Sequence, residues 1–194
     1  MAGRVARTDA AGEAELRHLV RSAPGLTVLT GGQTGVDTYA AKAALRAGLT
    51  VHLVFPRALR QEDGALTPAR RRRLSGAVLH ELGSPSFRYR TWTCAYLAEA
   101  VLLLDPAGGS GCRETARAAR RLGRPLLRAA GLGQLSSAQV TDWLAGTGAR
   151  VLLVAGCRAS VLGNAEKVGS LRADLAEIMA GCRAWHDRLA ADLA

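Results

Sequence analysis

Short apolar runs recur along the chain at intervals of about 25 residues, each followed by a polar or glycine-rich stretch and then an alanine- and arginine-rich segment with helical spacing. The runs predict strands at Leu26 to Thr30, Val51 to Phe55, Val78 to Glu81, Val101 to Asp105, Pro125 to Arg128 and Val151 to Ala155. Between them the spacing predicts helices at Asp37 to Ala47, Pro68 to Leu74, Arg88 to Ala98, Glu114 to Leu122 and Ser137 to Leu144, with Gly48, Gly76, Gly123 and Gly146 as their stops. Strands that alternate with helices imply a parallel sheet covered on both faces, an α/β doubly wound architecture. A loose tail is expected over residues 1–10, then a short helix from Gly12 to Ala23, with residues 11–194 forming a single domain.

The length of 194 residues suits one domain with a sizeable core. Apolar residues at 48% and charged residues at 22% describe an ordinary folded chain and exclude disorder or a disulfide-stapled miniprotein. The longest apolar runs, such as Val101 to Leu104, are strand-sized, so no membrane span is predicted. The net charge of +10 invites a nucleic-acid reading, because basic surfaces gain affinity for phosphate by releasing counterions. Yet 24 of the 26 basic residues are arginine beside abundant alanine, a bias that a G+C-rich coding sequence produces by itself, and aromatics at 4% supply few stacking platforms. Nucleic acid is therefore not the expected partner. Cys94, Cys112, Cys157 and Cys182 form no C-x-x-C pair and show no metal-ligand spacing, which predicts reduced thiols, a cytoplasmic setting and no metal.

The chemistry sits where an open parallel sheet places its ligands, at the carboxyl ends of the strands. After the first predicted strand comes Thr30-Gly31-Gly32-Gln33-Thr34-Gly35-Val36-Asp37, and after the fourth comes Pro106-Ala107-Gly108-Gly109-Ser110-Gly111-Cys112-Arg113-Glu114-Thr115. Both are glycine-rich turns running into a helix, whose free amides and dipole suit a phosphate. Two such loops at one sheet edge predict a cradle for a nucleotide or another phosphorylated ligand. The charged segment Pro56 to Gly64 follows the second strand, and Arg158 and Ser160 follow the last, offering a guanidinium and a hydroxyl to phosphate oxygens. Trp92 is suited either to stack on a base or to fill the core. Arg70 to Arg73 read as one solvated helix face. Of the four histidines, His52 and His80 fall in strand-like runs, where hydrogen-bonded core imidazoles are expected.

Gly31 to Asp37, the Pro56 to Gly64 segment, Arg90-Thr91 and Val154 to Ser160 together resemble the family named "putative molybdenum carrier", a YpsA-like branch of the Rossmann-like SLOG superfamily related to LOG-type proteins. The resemblance covers roughly residues 26–160. It implies a doubly wound fold, a homo-oligomer (dimer or tetramer), and a site for a nucleotide-like or pterin-phosphate ligand such as molybdenum cofactor. The ligand-facing positions it implies are Gly31, Gly32, Gln33, Thr34, Gly35, Asp37, Arg57, Arg60, Glu62, Arg90, Thr91, Gly108, Gly109, Ser110, Gly111, Cys112, Arg158 and Ser160. The chain departs from the family at Thr30, Cys94 and Cys157, which stand where serine, asparagine and proline are usual. Its second glycine loop is closer to the Pro-Gly-Gly-x-Gly-Thr-x-x-Glu motif of LOG-type phosphoribohydrolases, but Cys112 replaces the threonine and Thr115 takes the glutamate's place. Glu114 lies one residue early, about 100° round the helix.

Three functions follow: a carrier-type protein holding a phosphorylated nucleotide or pterin; a hydrolase cleaving the N-glycosidic bond of a nucleoside monophosphate, with Glu114, Glu62 or Asp37 as its acid; and a single-strand nucleic-acid binder. Cys112 is suited to a small loop position, or to covalent catalysis because a helix start favours a thiolate. At the C-terminus, Val168, Leu171, Leu175, Ile178, Cys182, Trp185 and Leu189 fall on one helical stripe, which either covers the chain's own sheet or pairs with another subunit.

Overall fold

The computed structural model describes residues 5–8, 12–130 and 133–192. In chain order the elements are β1 (Val5–Thr8), α1 (Gly12–Arg21), β2 (Thr27–Thr30), α2 (Val36–Arg46), β3 (Thr50–Phe55), a short 3-10 turn, β4 (Arg60–Gln61), β5 (Gly64–Ala65), α3 (Pro68–Arg72) and β6 (Val78–Leu82). They continue with α4 (Phe87–Leu97), β7 (Ala100–Leu104), α5 (Ser110–Arg121), β8 (Leu126–Ala129), α6 (Ser137–Thr147), β9 (Val151–Gly156), α7 (Ala159–Leu162) and α8 (Ala165–Asp192). Seven strands form one sheet in the order β1-β6-β3-β2-β9-β7-β8, every neighbouring pair parallel. The small β4–β5 ribbon stands apart as an antiparallel pair.

The burial follows from this topology. Parallel strands covered on both faces cannot alternate apolar with polar, and Val28, Leu29, Leu53, Val54, Phe55, Leu102, Leu103, Leu152 and Val154 are all fully buried. Right-handed crossovers place α2 and α6 on one face and α1, α4 and α5 on the other. The packing agrees: α8 lies against α2 and α6, and α4 against α1 and α5. This is an α/β single domain of Rossmann-like, doubly wound type.

Several elements differ from expectation for local reasons. Val5–Thr8, expected within a loose tail, pairs in parallel with Leu79–Leu82 as the edge strand; residues 1–4, 9 and 10 lie outside those described. A four-residue edge strand carries too short a pattern to be read. Helix α5 starts at Ser110, four residues before Glu114, so half of the second glycine loop is helix. The stop of α6 is Gly148, not Gly146: Gly148 takes the left-handed cap conformation (φ 64°), while Gly146 is an ordinary helical residue. At its start α6 has a capping box between Ser136 and Gln139. The C-terminal stripe is spent mostly within the chain: Leu171, Leu175, Ile178 and Cys182 are buried, Val168 and Trp185 half-buried, and Leu189 exposed.

His52 and His80 behave as core imidazoles. Their rings stack at 5.1 Å with His52 Nδ1 2.8 Å from His80 Nε2, one ring donating and the other accepting. Burial lowers both pKa values from 6.5 to about 4. Between those values the unfolded chain binds protons that the folded chain refuses, so stability falls as pH drops from 6.5 towards 4. Denaturant unfolding across that window should show the loss in the parent and a smaller one in a His52→Leu/His80→Leu variant.

Candidate functional site

The parallel strands bring loops to one edge, and four carboxylates tie several of the described ones together. Asp37, in the first turn of α2, is 3% exposed. Its Oδ2 accepts from the Gln33 amide (3.2 Å) and from Arg90 Nη1 of α4 (3.3 Å). Burial raises the Asp37 pKa above the usual carboxylate value, with the Arg90 charge pulling the other way. Glu62, between β4 and β5, accepts from Thr34 Oγ1, from Ser160 Oγ (2.5 Å) and from the Ser160 amide (3.3 Å), with Arg158 Nε 3.8 Å away. Burial opposes its charge, but these hydrogen bonds and Arg158 hold its pKa below the ordinary value. Glu62 thereby fastens the loop after β2 to the loop after β9.

Asp105 follows β7 and is 2% exposed. Its Oδ2 accepts from Arg128 Nη2 of β8 (2.5 Å), and its Oδ1 from the Gly109 amide (3.3 Å) and the Cys157 thiol (3.5 Å). Despite burial, the Cys112 and Cys157 thiols and Arg128 keep the Asp105 pKa below the usual range. Cys112 Sγ lies 3.8 Å from Cys157 Sγ. The Cys112 thiol donates towards Cys157, which raises the Cys112 pKa and lowers that of Cys157 to about 7. Glu114 accepts from Trp92 Nε1 (2.6 Å) and Arg88 Nε (2.9 Å), and the indole above all keeps its pKa below the normal value. Trp92 is half-buried, and its ring nitrogen holds Glu114 in place.

Between these ties opens a crevice of about 490 Å³. It lies at the ends of β7 and β9, where one strand's loop leads to α5 on one face and the next leads to α8 on the other, the switch point at which such sheets take ligands. Of the expected positions, Gln33, Asp37, Arg90, Thr91, Gly109, Ser110, Gly111, Cys112, Glu114, Arg158 and Ser160 line it. Thr34, Gly35 and Glu62 line a smaller hollow of about 200 Å³ beside α3. Arg57 and Arg60 are exposed and line neither, Arg60 lying over the Phe87 ring at 5.4 Å.

The two glycine loops divide in role. A Cβ on Gly31 would sit 1.2 Å from Arg90 Nη1, one on Gly32 2.5 Å from the Phe55 ring, and one on Gly35 2.5 Å from the Cys157 carbonyl. The first loop is thus packed under its own chain, and its glycines admit neighbouring groups where a ligand was expected. A Cβ on Gly108, Gly109 or Gly111 would meet nothing within 4 Å, so the second loop faces open space. Sequence reasoning did not identify Phe87, Arg88, Thr115, Ala155, Gly156, Cys157 and Val161 as lining residues, nor Asp105 and Arg128 beneath them. The apolar strand that ends in Asp105 was the one signal available for that carboxylate, because an acid closing a central strand must find buried partners.

Arg90 and Asp37 are the most enclosed ion pair at this edge, with side chains 11% and 4% exposed. Removing one partner leaves the other buried and unpaired, a change that costs about 3–5 kcal/mol. Arg90→Ala should accordingly lower the unfolding free energy by about 3 kcal/mol or more in urea titrations.

The model of the "Circularly permutated YpsA SLOG family" matches residues 28–172. No curated protein matches. Among solved structures, the "Putative molybdenum carrier protein" of Syntrophus aciditrophicus SB superposes with a TM-score of 0.65 at 22% identity, over 80% of this chain and 96% of that one. At that identity the likeness speaks for the fold. Among the described residues no helix is long and apolar enough to cross a membrane. The family match runs from β2 into α8 and takes in every strand that builds the crevice, and on it the chain belongs to the circularly permutated YpsA SLOG family.

Proposed function

We propose that this protein binds a phosphorylated, nucleotide-like or pterin ligand in the crevice at the ends of β7 and β9, in the manner of a carrier. The observation that carries the reading is the start of α5: Gly109 has no side-chain cap, and the glycines around it face open space. Amides at an uncapped helix start, with the positive end of the helix dipole behind them, form an anion site. Arg158 stands across the crevice with its side chain 47% exposed and only a loose partner in Glu62. The crevice volume lies in the range of small-molecule sites. The Ser110 and Gly111 amides and Arg158 would hold the phosphate, the Gly109 amide being committed to Asp105, and the rest of the crevice is left for a ring system. The neighbour's name supports a molybdenum-related cargo, and molybdenum cofactor is a phosphorylated pterin that this donor set fits.

Binding is favoured over hydrolysis by what the carboxylates already do. Glu62 and Glu114 are held ionised by hydrogen bonds and arginines, a state unsuited to a general acid, and Asp37, whose pKa burial raises, is engaged by Arg90 and the Gln33 amide. A cytoplasmic setting is supported by four free cysteines. The homo-oligomer that the resemblance implies would use the far end of α8, where Leu189 is 42% exposed.

Calorimetry with AMP and with inorganic phosphate tests the site. Arg158→Ala should weaken binding about tenfold or more, the loss of a charge-assisted contact worth roughly 1.5–3 kcal/mol. Gly109→Val should fold normally, having room for its side chain, yet lose binding because that side chain enters the crevice. Unchanged affinity in both variants would remove the anion site from α5. Light scattering should give a multimer for the parent and a smaller mass for Leu189→Glu; a monomeric parent would remove the oligomer.

A further inference from the structure

The floor of the crevice holds a second arrangement that the phosphate reading does not use. Asp105, Cys112 and Cys157 present a carboxylate oxygen and two sulfurs, all within 4.8 Å of one another. They come from three elements: the end of β7, the first turn of α5 and the residue after β9. We propose that these three residues form a zinc site whose fourth coordination position opens into the crevice.

The distances carry the assignment. Zinc bound tetrahedrally takes sulfur at about 2.3 Å and carboxylate oxygen at about 2.0 Å, so two sulfur ligands stand about 3.8 Å apart, and a sulfur and an oxygen about 3.5 Å apart. Cys112 and Cys157 Sγ are 3.8 Å apart, and Cys157 Sγ and Asp105 Oδ1 are 3.5 Å apart. Two of the three ligand–ligand edges are therefore present before any ion enters, and the third lies within 4.8 Å. The ligand set mixes thiolate with carboxylate, which suits a borderline-soft divalent cation and is poor for magnesium or calcium.

The surroundings complete the site. Arg128 fixes the far carboxylate oxygen at 2.5 Å and the Gly109 amide touches the near one at 3.3 Å, the outer contacts that orient a ligating carboxylate. Cys112 lies in the first turn of the twelve-residue α5, whose dipole favours a thiolate. Two thiolates, one carboxylate, Arg128 and a doubly charged ion sum to zero, so the group is neutral when filled. On binding, the thiol protons leave to solvent and two sulfur–metal bonds form, with no change of oxidation state. Cys112 and Cys157 line the crevice with Gly109, Gly111 and Gly156, which leaves the remaining position facing the cavity. Three protein ligands with one open position is the pattern of zinc sites that hold a further ligand, as distinct from closed structural ones.

The test uses the full-length protein, reduced and freed of metal, with zinc alone and no organic ligand, so this inference and the phosphate reading fail separately. Zinc titrated against a chromophoric chelator should bind at one equivalent, and cobalt in its place should give tetrahedral d–d bands with thiolate charge transfer. Cys112→Ser and Cys157→Ser, checked for folding by circular dichroism, should each lose the charge-transfer intensity and weaken zinc by about a hundredfold or more. Arg128→Ala should weaken it about 10- to 100-fold. Cys182→Ala, buried in α8, should leave affinity unchanged. The proposal is overturned by cobalt bound without thiolate bands, by undiminished zinc affinity in both serine variants, or by a reduced protein that takes no metal while Cys112 and Cys157 close to a disulfide.

Discussion

A parallel sheet hydrogen-bonds its strands but supplies few backbone partners to the loops at its carboxyl edge; in this chain bonds such as Val36 amide to Cys157 carbonyl and Arg57 amide to Ser84 carbonyl are joined by buried and half-buried carboxylates that tie those loops together. Asp37 joins the loop after β2 to α4 through Arg90, and Glu62 joins the loop after β3 to those after β2 and β9. Asp105 joins β7 to β8, α5 and the loop after β9, and Glu114 joins α5 to α4. Each tie crosses between elements far apart in sequence, so the edge behaves as one connected unit. Charged hydrogen bonds in such enclosed places are stronger than surface ones, and losing one partner is correspondingly costly.

The same ties decide what the edge can do. Because Asp37 and Glu114 in the crevice lining are committed to arginine and indole partners, the uncommitted groups facing the crevice include donors: amides at the start of α5 and the Arg158 guanidinium. An opening lined by donors of positive character receives anions. Below it, the paired thiols and Asp105 form a compact donor set of opposite character, and the two lie side by side because Gly109 serves both, its amide on Asp105 and its bare Cα towards the cavity. On the proposed readings, phosphate and a thiophilic cation would be held by neighbouring parts of this edge.

Much of the fold was legible in the sequence because apolar runs of four to six residues, each closed by a glycine or a charge, leave few arrangements other than a covered parallel sheet. All six expected strands formed. The seventh, Val5–Thr8, escaped because an edge strand needs neither length nor a continuous apolar pattern. The site was legible as far as its loops, and less so in their roles. Glycine signals close approach without saying to what: at Gly31 the approaching group is Arg90, 59 positions on, and at Gly109 it is open space. Cys112 and Cys157, 45 residues apart, carry no linear metal signature, and only the adjacency of β7 and β9 brings them together with Asp105. Spacing along the chain reports ligands on one element and is blind to ligands gathered from three.

The most direct measurement is native mass spectrometry of the protein isolated from its own host. The account predicts a species heavier than the chain by a phosphorylated organic molecule, absent when Gly109→Val is isolated in the same way. A chain that carries no such molecule on isolation, and takes up neither AMP nor inorganic phosphate afterwards, would contradict it.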